Sequence, residues 1–210
     1  MATLSQITTA LERAWAAIRT VHPRCRPAVM VVYLNEAGDR WGHFWQDAWT
    51  ARDNERTDEI HISSELLQFG GERTFKTLLH EAVHSVAAAT GVQDTSRQGR
   101  YHNKRFAALA ESMGLVVEPM VGAGCYTPDL AEATKALFAN TIKDLDESIE
   151  IWQRRGLATV GGKGKGSRNV KLVCLRCGRI IRASRKCINL GTIRCNRCEL
   201  DFVEARQGRP

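Results

Sequence analysis

The sequence predicts an α+β protein built as two modules, a larger one first and a small one near the C-terminus. Three observations carry that prediction. One helix-period run is followed by three strand-like runs and then by further helix-period runs, so helices and strands segregate along the chain. Residues 80–84 read His80-Glu81-Ala82-Val83-His84 within an otherwise apolar stretch, Phe75 to Ala89. Two C-x-x-C pairs, Cys174/Cys177 and Cys195/Cys198, stand farther along with seventeen residues between them.

Taken in order, Thr3-Leu4-Ser5-Gln6 fits a capping box, and Leu4, Ile7, Leu11, Trp15 and Ile18 repeat at helical spacing. A first, core-facing helix follows. Ala28 to Leu34 is a β-rich apolar run, and Asn35 to Asp39 supplies the turn after it. A second strand is expected over Arg40 to Thr50 and a third over Asp58 to Ile62. Trp41, Trp45 and Trp49 of the second strand are read as core, because large aromatics usually bury. His61 alternates with Ile60 and Ile62 and so faces away from them.

The next helix carries the chemistry. Positions i and i+4 share one helix face, so His80 and His84 point at one spot, which makes half of a zinc site. Glu81 is turned about 100° from His80, within reach of a metal-bound water without ligating the metal. Leu78, Leu79, Val83 and Val86 make the rest of the helix apolar. Burying two imidazoles and a carboxylate without partners costs several kcal/mol, and a metal removes that cost for the imidazoles. The chemistry implied is attack of a zinc-activated water on a carbonyl, with Glu81 as general base.

A catalytic zinc needs a third protein ligand. Gly99 to Gly114 reads as a second helix with Phe106, Leu109 and Met113 as its apolar stripe. His102 precedes Phe106 by four and falls on that stripe, whereas Glu111 faces away and reads as a surface carboxylate. His102 is therefore the expected third ligand; His22, His43 and His61 are read as non-ligands. This order of helix, three-stranded sheet and ligand helices is typical of an α+β zincin. Thr127-Pro128 then reads as an N-cap with proline at N1, opening a long amphipathic helix through Phe138, Ile142, Leu145, Ile149 and Trp152 to about Gly156. It is expected to pack on the preceding domain or extend it.

Gly156 to Asn169 contains G-G-K-G-K-G-S, a flexible basic linker. Residues 170–205 then hold the four cysteines, the pattern of a closed thiolate zinc site of the zinc-ribbon type. So small a module buries little core, and the metal would supply most of its folding energy. Gly178 follows the first knuckle, and Arg179 to Ala183 with Gly191 to Arg194 are the expected hairpin arms. The cofactors expected are thus two zinc ions, one catalytic and one structural.

Charge divides the chain. From Gly156 onward there are thirteen Lys/Arg against three Asp/Glu, a net of +10, while residues 1–155 carry a net of −3. The overall +7 therefore belongs to the last quarter. Arg176, Arg179, Arg182, Arg185, Lys186, Arg194 and Arg197 are candidate phosphate contacts, and this charge tips the reading toward nucleic acid over a purely structural or protein-binding ribbon. No groove-reading element is evident, so DNA binding is expected to be largely independent of sequence. The chain has no transmembrane run, and Met1 to Ile18 lacks the basic start and apolar core of a signal peptide. Seven cysteines, an odd count of which four have metal-type spacing, argue for thiolate ligands over disulfides, and the expectation is a cytoplasmic protein.

The runs T-L-L-H-E-A-V-H-S-V-A-A-A-T-G and R-Y-H-N-K-R-F-A-A-L-A-E-S-M-G-L resemble the SprT-like zinc metalloproteases, the group that includes Spartan. The resemblance covers roughly residues 1–127, which would be the protease domain, with 128–155 as the helix packing on it. It implies His80, His84 and His102 as zinc ligands, Glu81 as catalytic base, and a protein substrate bound or crosslinked to DNA. A C-terminal zinc ribbon is common in the family. Tyr101-His102-Asn103-Lys104 is closer to bacterial and phage members, and the segment Gly91 to Gly99 departs from the family pattern. Tyr126 and Tyr101 are candidates for a hydrogen bond to the oxyanion. The rival reading is a non-catalytic DNA-binding regulatory protein whose zincin domain only scaffolds; an intact Glu81 argues against it, because a scaffold needs no base.

Overall fold

The computed structural model describes residues 3–33, 41–99, 101–152 and 169–204. The turn expected at Asn35 to Asp39 and the linker expected from Gly156 lie outside them, save Asn169. The chain divides into two compact units, residues 1–158 and 159–210. The architecture is mixed α and β, with helices and small sheets in element order.

Helix α1 (Leu4–Val21) opens on the expected capping box: Gln6 N donates to Thr3 Oγ1 at 3.3 Å, and Thr3 N donates to Gln6 Oε1 at 2.8 Å. Ile7, Leu11, Trp15 and Ile18 are buried in the core. Leu4, expected in that stripe, is 55% exposed, so burial begins one turn later.

Strands β1 (Ala28–Tyr33), β2 (Gly42–Thr50) and β3 (Arg56–Ser63) form one sheet in the order β1-β3-β2. β3 is central, parallel to β1 and antiparallel to β2. Met30, Ile60 and Phe44 lie in register across it, as do Val32, Ile62 and Gly42. That face meets the hydrophobic core. The alternate face presents Tyr33, His61 and His43, so His61 does face away from the isoleucines.

The expectation that the tryptophans are core fails for two of them. Trp45 is 57% and Trp49 46% exposed. β2 is an edge strand, and Trp45 shares the outward face with His43, 6.1 Å from it between ring centroids. Trp49 Nε1 donates to Glu59 Oε2 at 2.6 Å. Between the two, the pairing with β3 slips at a bulge where Asp47 takes a positive φ of 54°.

A 3₁₀ turn (Leu66–Phe69) leads into α2 (Gly70–Ala89). Phe75, Leu78, Leu79, Ala82 and Val83 are fully buried along it. After it come the short strands β4 (Thr95–Ser96) and β5 (Tyr101–His102), helix α3 (Lys104–Ser112), and the hairpin β6 (Glu118–Met120) and β7 (Gly124–Tyr126).

The long helix expected from Thr127 is shorter and broken. α4 (Glu132–Leu137) and α5 (Ala139–Ser148) meet at Phe138, whose φ and ψ of −104° and 16° interrupt the helix. The Phe138 ring packs against Phe75 at 4.7 Å between centroids, which places the break where the side chain docks in the core. α5 packs on α1 and α2, and Asp146 Oδ1 accepts the otherwise open Gly71 N–H at 2.7 Å. The helix ends at Ser148, so Trp152, read as part of its stripe, is 49% exposed.

In the second unit, β8 (Asn169–Val173), β9 (Ile180–Ser184) and β12 (Val203–Glu204) form a sheet in the order β12-β8-β9. β10 (Arg194–Cys195) and β11 (Leu200–Asp201) form a second ladder. The expected pairing of Arg179–Ala183 with Gly191–Arg194 is therefore wrong: β9 pairs with β8. The reason is local. Ser184 caps the short helix α6 (Arg185–Asn189), its Oγ accepting from Cys187 N at 3.2 Å, and the chain turns away after β9 instead of returning along it.

Candidate metal centres and cleft

Three imidazoles meet at one end of a cleft of about 610 Å³. One ring nitrogen from each of His80, His84 and His102 lies within 4.8 Å of the other two, a group that can hold a metal ion. The Nδ1 atoms are already engaged. His80 Nδ1 pairs with Thr127 Oγ1 at 2.9 Å, His84 Nδ1 with Asp94 Oδ2 at 2.5 Å, and His102 Nδ1 with the Cys125 carbonyl at 3.2 Å. That leaves the three Nε2 atoms as the donors turned to the shared point. A hydrogen-bonded second nitrogen is what fixes the tautomer and aim of a metal-ligating histidine.

Phe106 lies beneath all three rings. It is fully buried, stacks on His102 at 4.1 Å with planes 26° apart, and sits 5.0 Å from His80 and from His84. The four-residue spacing that linked His102 to Phe106 in the sequence thus finds a real contact, though through a different backbone. His102 is not helical. Asn103 adopts extended angles, and its Oδ1 accepts from Arg105 N and Phe106 N at 2.8 and 3.2 Å, so α3 begins only at Lys104. His102 arrives on the extended arm β5, paired with β4 on one side and bonded through its N–H to Ala123 O at 2.9 Å on the other. The arm approaches β7 so closely that a Cβ at Gly124, where φ is 87°, would collide with His102 O. Glu111 is exposed on α3 and outside the group.

Electrostatics favour the neutral, ligating form of His80 and His102, but not of His84. Burial holds His80 well below its ordinary pKa, and its neighbours His84 and His102 add to the effect. Burial also lowers His102. For His84, burial opposes the charge, but the Asp94 hydrogen bond and the Glu81 and Asp94 charges outweigh it and raise the pKa. Glu81 lines the cleft beside these rings and is 4% exposed. Its position is bounded by the backbone of β2: a Cβ on Gly42 would sit 2.5 Å from Glu81 Oε1 and 2.7 Å from Thr77 Cγ2.

Of the two tyrosines considered, Tyr126 lines the cleft, where its hydroxyl donates to Glu118 Oε2 at 2.5 Å. Tyr101 lies under the Arg97 guanidinium, 4.9 Å away, and is not among the cleft residues. His43 borders the cleft but does not join the metal-binding group. Thr127, read above as a helix cap, holds His80 instead.

The second centre is in the small unit. Cys174, Cys177, Cys195 and Cys198 bring their sulfurs within 4.8 Å of one another and can hold a metal ion. Cys174 and Cys195 are buried. Backbone N–H groups of Cys177 and Arg176 lower the Cys174 thiol, while burial and the neighbouring thiols raise Cys198, so without a metal the four sulfurs do not all ionise together. The two knuckles match in the backbone. Gly178 and Glu199 each stand four residues after the leading cysteine, with φ of 69° and 52°. Gly178 N donates to Cys174 O at 2.9 Å, and Glu199 N to Cys195 O at 2.8 Å.

The seven basic residues proposed for phosphate contact are all exposed and are spread over several elements. Arg176 and Arg179 stand at the first knuckle, Arg194 and Arg197 at the second, Arg182 on β9, and Arg185 and Lys186 on α6. Arg185 is paired with Glu204, Arg179 donates to Asn196 Oδ1 at 3.0 Å, and Arg194 Nε to Glu199 O at 3.0 Å. Lys171, absent from that set, stands directly opposite Arg182 across β8 and β9. Among the described residues, no helix is long and apolar enough to cross a membrane.

Comparison of the chain with protein-family models, with curated proteins and with solved structures finds no match. The functional reading therefore rests on the two centres and the surfaces around them.

Proposed function

We propose that the protein is a cytoplasmic zinc-dependent endopeptidase of the SprT-like type, acting on proteins bound or crosslinked to DNA, with zinc in both centres. The observation that carries the reading is the convergence of three oriented imidazole nitrogens beside a recessed carboxylate in an open cleft. Three neutral imidazoles suit zinc, and three protein ligands leave a coordination position for chemistry. A zinc bound there supplies Lewis acidity and brings a water pKa to about 7. Glu81 takes the proton of the attacking water and passes it to the leaving amine. The edge of β2 from Gly42 to Trp45 aligns an extended substrate by main-chain hydrogen bonds. Tyr126, the tyrosine at the cleft, is assigned to donate toward the developing oxyanion, a role that requires its hydroxyl to turn from Glu118, to which it donates at rest.

The ribbon's part is to hold DNA by its backbone. Like charges directly opposite in a ladder repel, so the Lys171–Arg182 pair is relieved by a phosphate between them. Tethering then raises the effective concentration of DNA-associated substrates.

The test is a cleavage assay on the zinc-loaded full chain with a DNA-binding protein substrate, with and without DNA, beside a metal analysis. Two zincs per chain and DNA-stimulated cleavage are expected. Glu81→Gln keeps both metals and loses about 10²–10⁴ in rate, the usual share of a general base. A wild-type chain that carries both zincs, binds DNA and cuts nothing would favour the regulatory scaffold instead.

A further inference from the structure

The cleft has a charge pattern that the metal centre does not use. Arg73, Lys76 and His80 follow one another on α2 at intervals of three and four, share one stripe of the helix, and all line the cleft. Both cations are fixed in place. The Arg73 guanidinium lies over the Phe69 ring at 4.9 Å, and Lys76 Nζ donates to Thr127 O at 2.9 Å. Lys76 is partly desolvated: burial lowers its pKa and the Arg73 charge adds to that. Asp129 is the acid whose field reaches Lys76, but its carboxylate is bonded to Lys135 at 3.0 Å. Among the described residues, neither cation forms an ion pair of its own. Two anchored, unneutralised cations in a groove favour an anion arriving with the ligand.

We propose that Arg73 and Lys76 form an anion subsite that receives an Asp or Glu side chain of the substrate, on one side of the scissile bond only. The proposal rests on the peptidase reading above. Lys76 and Arg73 precede His80 by four and seven residues, or about 6 and 10 Å along the helix axis. An extended peptide advances about 3.3 Å per residue, so the acid belongs about two or three residues from the bond that is cut. The cations lie inside the groove next to the edge of β2, where a peptide aligns; this favours a carboxylate over a nucleic-acid phosphate.

The test uses the zinc-loaded full chain and peptides that share one scissile bond. Glu is moved through each of the four flanking positions on either side, with Gln and Lys at the same place as controls. At one position, kcat/KM for Glu over Lys should be about tenfold, a factor worth about 1.4 kcal/mol. Arg73→Glu should invert that ratio. Lys76→Gln should reduce it, and agreement between the two variants guards against a folding effect from either alone. In parallel, binding of the same peptides to Glu81→Gln is followed by fluorescence anisotropy, with a short oligonucleotide as competitor. Glu-selective binding without cleavage by the wild type would sink the peptidase reading and leave the subsite standing. Cleavage or binding indifferent to charge at every position, or equal ratios in wild type and Arg73→Glu, overturns the subsite. So does an oligonucleotide that displaces peptide from wild type but not from Arg73→Glu, since the anion is then a phosphate.

Discussion

Replacing Asp94 with Asn removes one charge and alters nothing else in size, which makes it the sharpest probe of how the three imidazoles are held. Asp94 Oδ2 lies 2.5 Å from His84 Nδ1, with the two side chains only 13% and 16% exposed, so the bond is charge-assisted and poorly screened. A carboxylate there keeps the proton on Nδ1 and leaves Nε2 bare for a metal. An Asn can turn its NH₂ toward Nδ1 and drive the proton to Nε2, which destroys the donor. Loss of such a partner costs about 10–100-fold in metal affinity, or about 1.4–2.7 kcal/mol. His80 has a weaker support, the neutral Thr127 hydroxyl at 2.9 Å, worth about 1 kcal/mol, so Thr127→Val should cost only about fivefold. His102 leans on a backbone carbonyl that no side-chain substitution at Cys125 removes. The assay is zinc competition against a chromophoric chelator, in which the histidine centre releases its metal before the thiolate centre. Asp94→Asn binding zinc as tightly as wild type, or more tightly than Thr127→Val, would refute the orientation argument.

Other outcomes follow from the same geometry. Gly42→Ala places a methyl against Glu81 and Thr77, so cleavage should fall by an order of magnitude or more while zinc content stays at two; unchanged kinetics would show that Glu81 is not confined by β2. In chelator-treated protein, unfolded imidazoles take protons near pH 6.5, whereas buried His80 and His102 refuse them until lower pH; the unfolded state then binds more protons and stability falls as pH drops below about 6.5. His84, raised by Asp94, works the other way but is one group against two, and the thermal midpoint should still be lower at pH 5.5 than at 7.5, with the difference shrinking in His80→Gln. Glu199 holds a left-handed backbone that Gly178 adopts without strain in the sister knuckle, so Glu199→Gly should stabilise the ribbon by about 0.5–1 kcal/mol in denaturant titration.

What the sequence revealed, it revealed where a local rule and the packing agree. The capping box at Thr3, the central strand over Ile60 and Ile62, and the apolar helix carrying His80 and His84 all obey one periodicity and bury one face. The four-residue spacing from His102 to Phe106 predicts their contact correctly, but not through a helix, because Asn103 starts α3 only after His102. Asp94 does leave a signal in the sequence. It is the sole carboxylate between His84 and His102, and a metal-ligating histidine commonly leans on one. Thr127 had two competing meanings, cap or imidazole partner, and only the fold decides between them. The exposed Trp45 and Trp49 depend on β2 lying at an edge, which is a property of strand order and is invisible in the strand itself. Arg73 and Lys76 carry no motif of their own in the sequence, and only the cleft beside them sets them apart.

The bulge at Asp47 has a consequence for how molecules of this protein meet one another. A sheet margin invites pairing with any passing chain, including a second copy. Here the regular stretch runs only from Gly42 to Trp45 before the ladder slips. That is about 13 Å of straight margin, long enough to grip four residues of a guest and too short to zip two whole strands together. The Asp47 carboxylate, bonded to Arg26 at 2.6 Å, pins the slip in place. On this side of the sheet the slip confines regular strand pairing to a four-residue stretch.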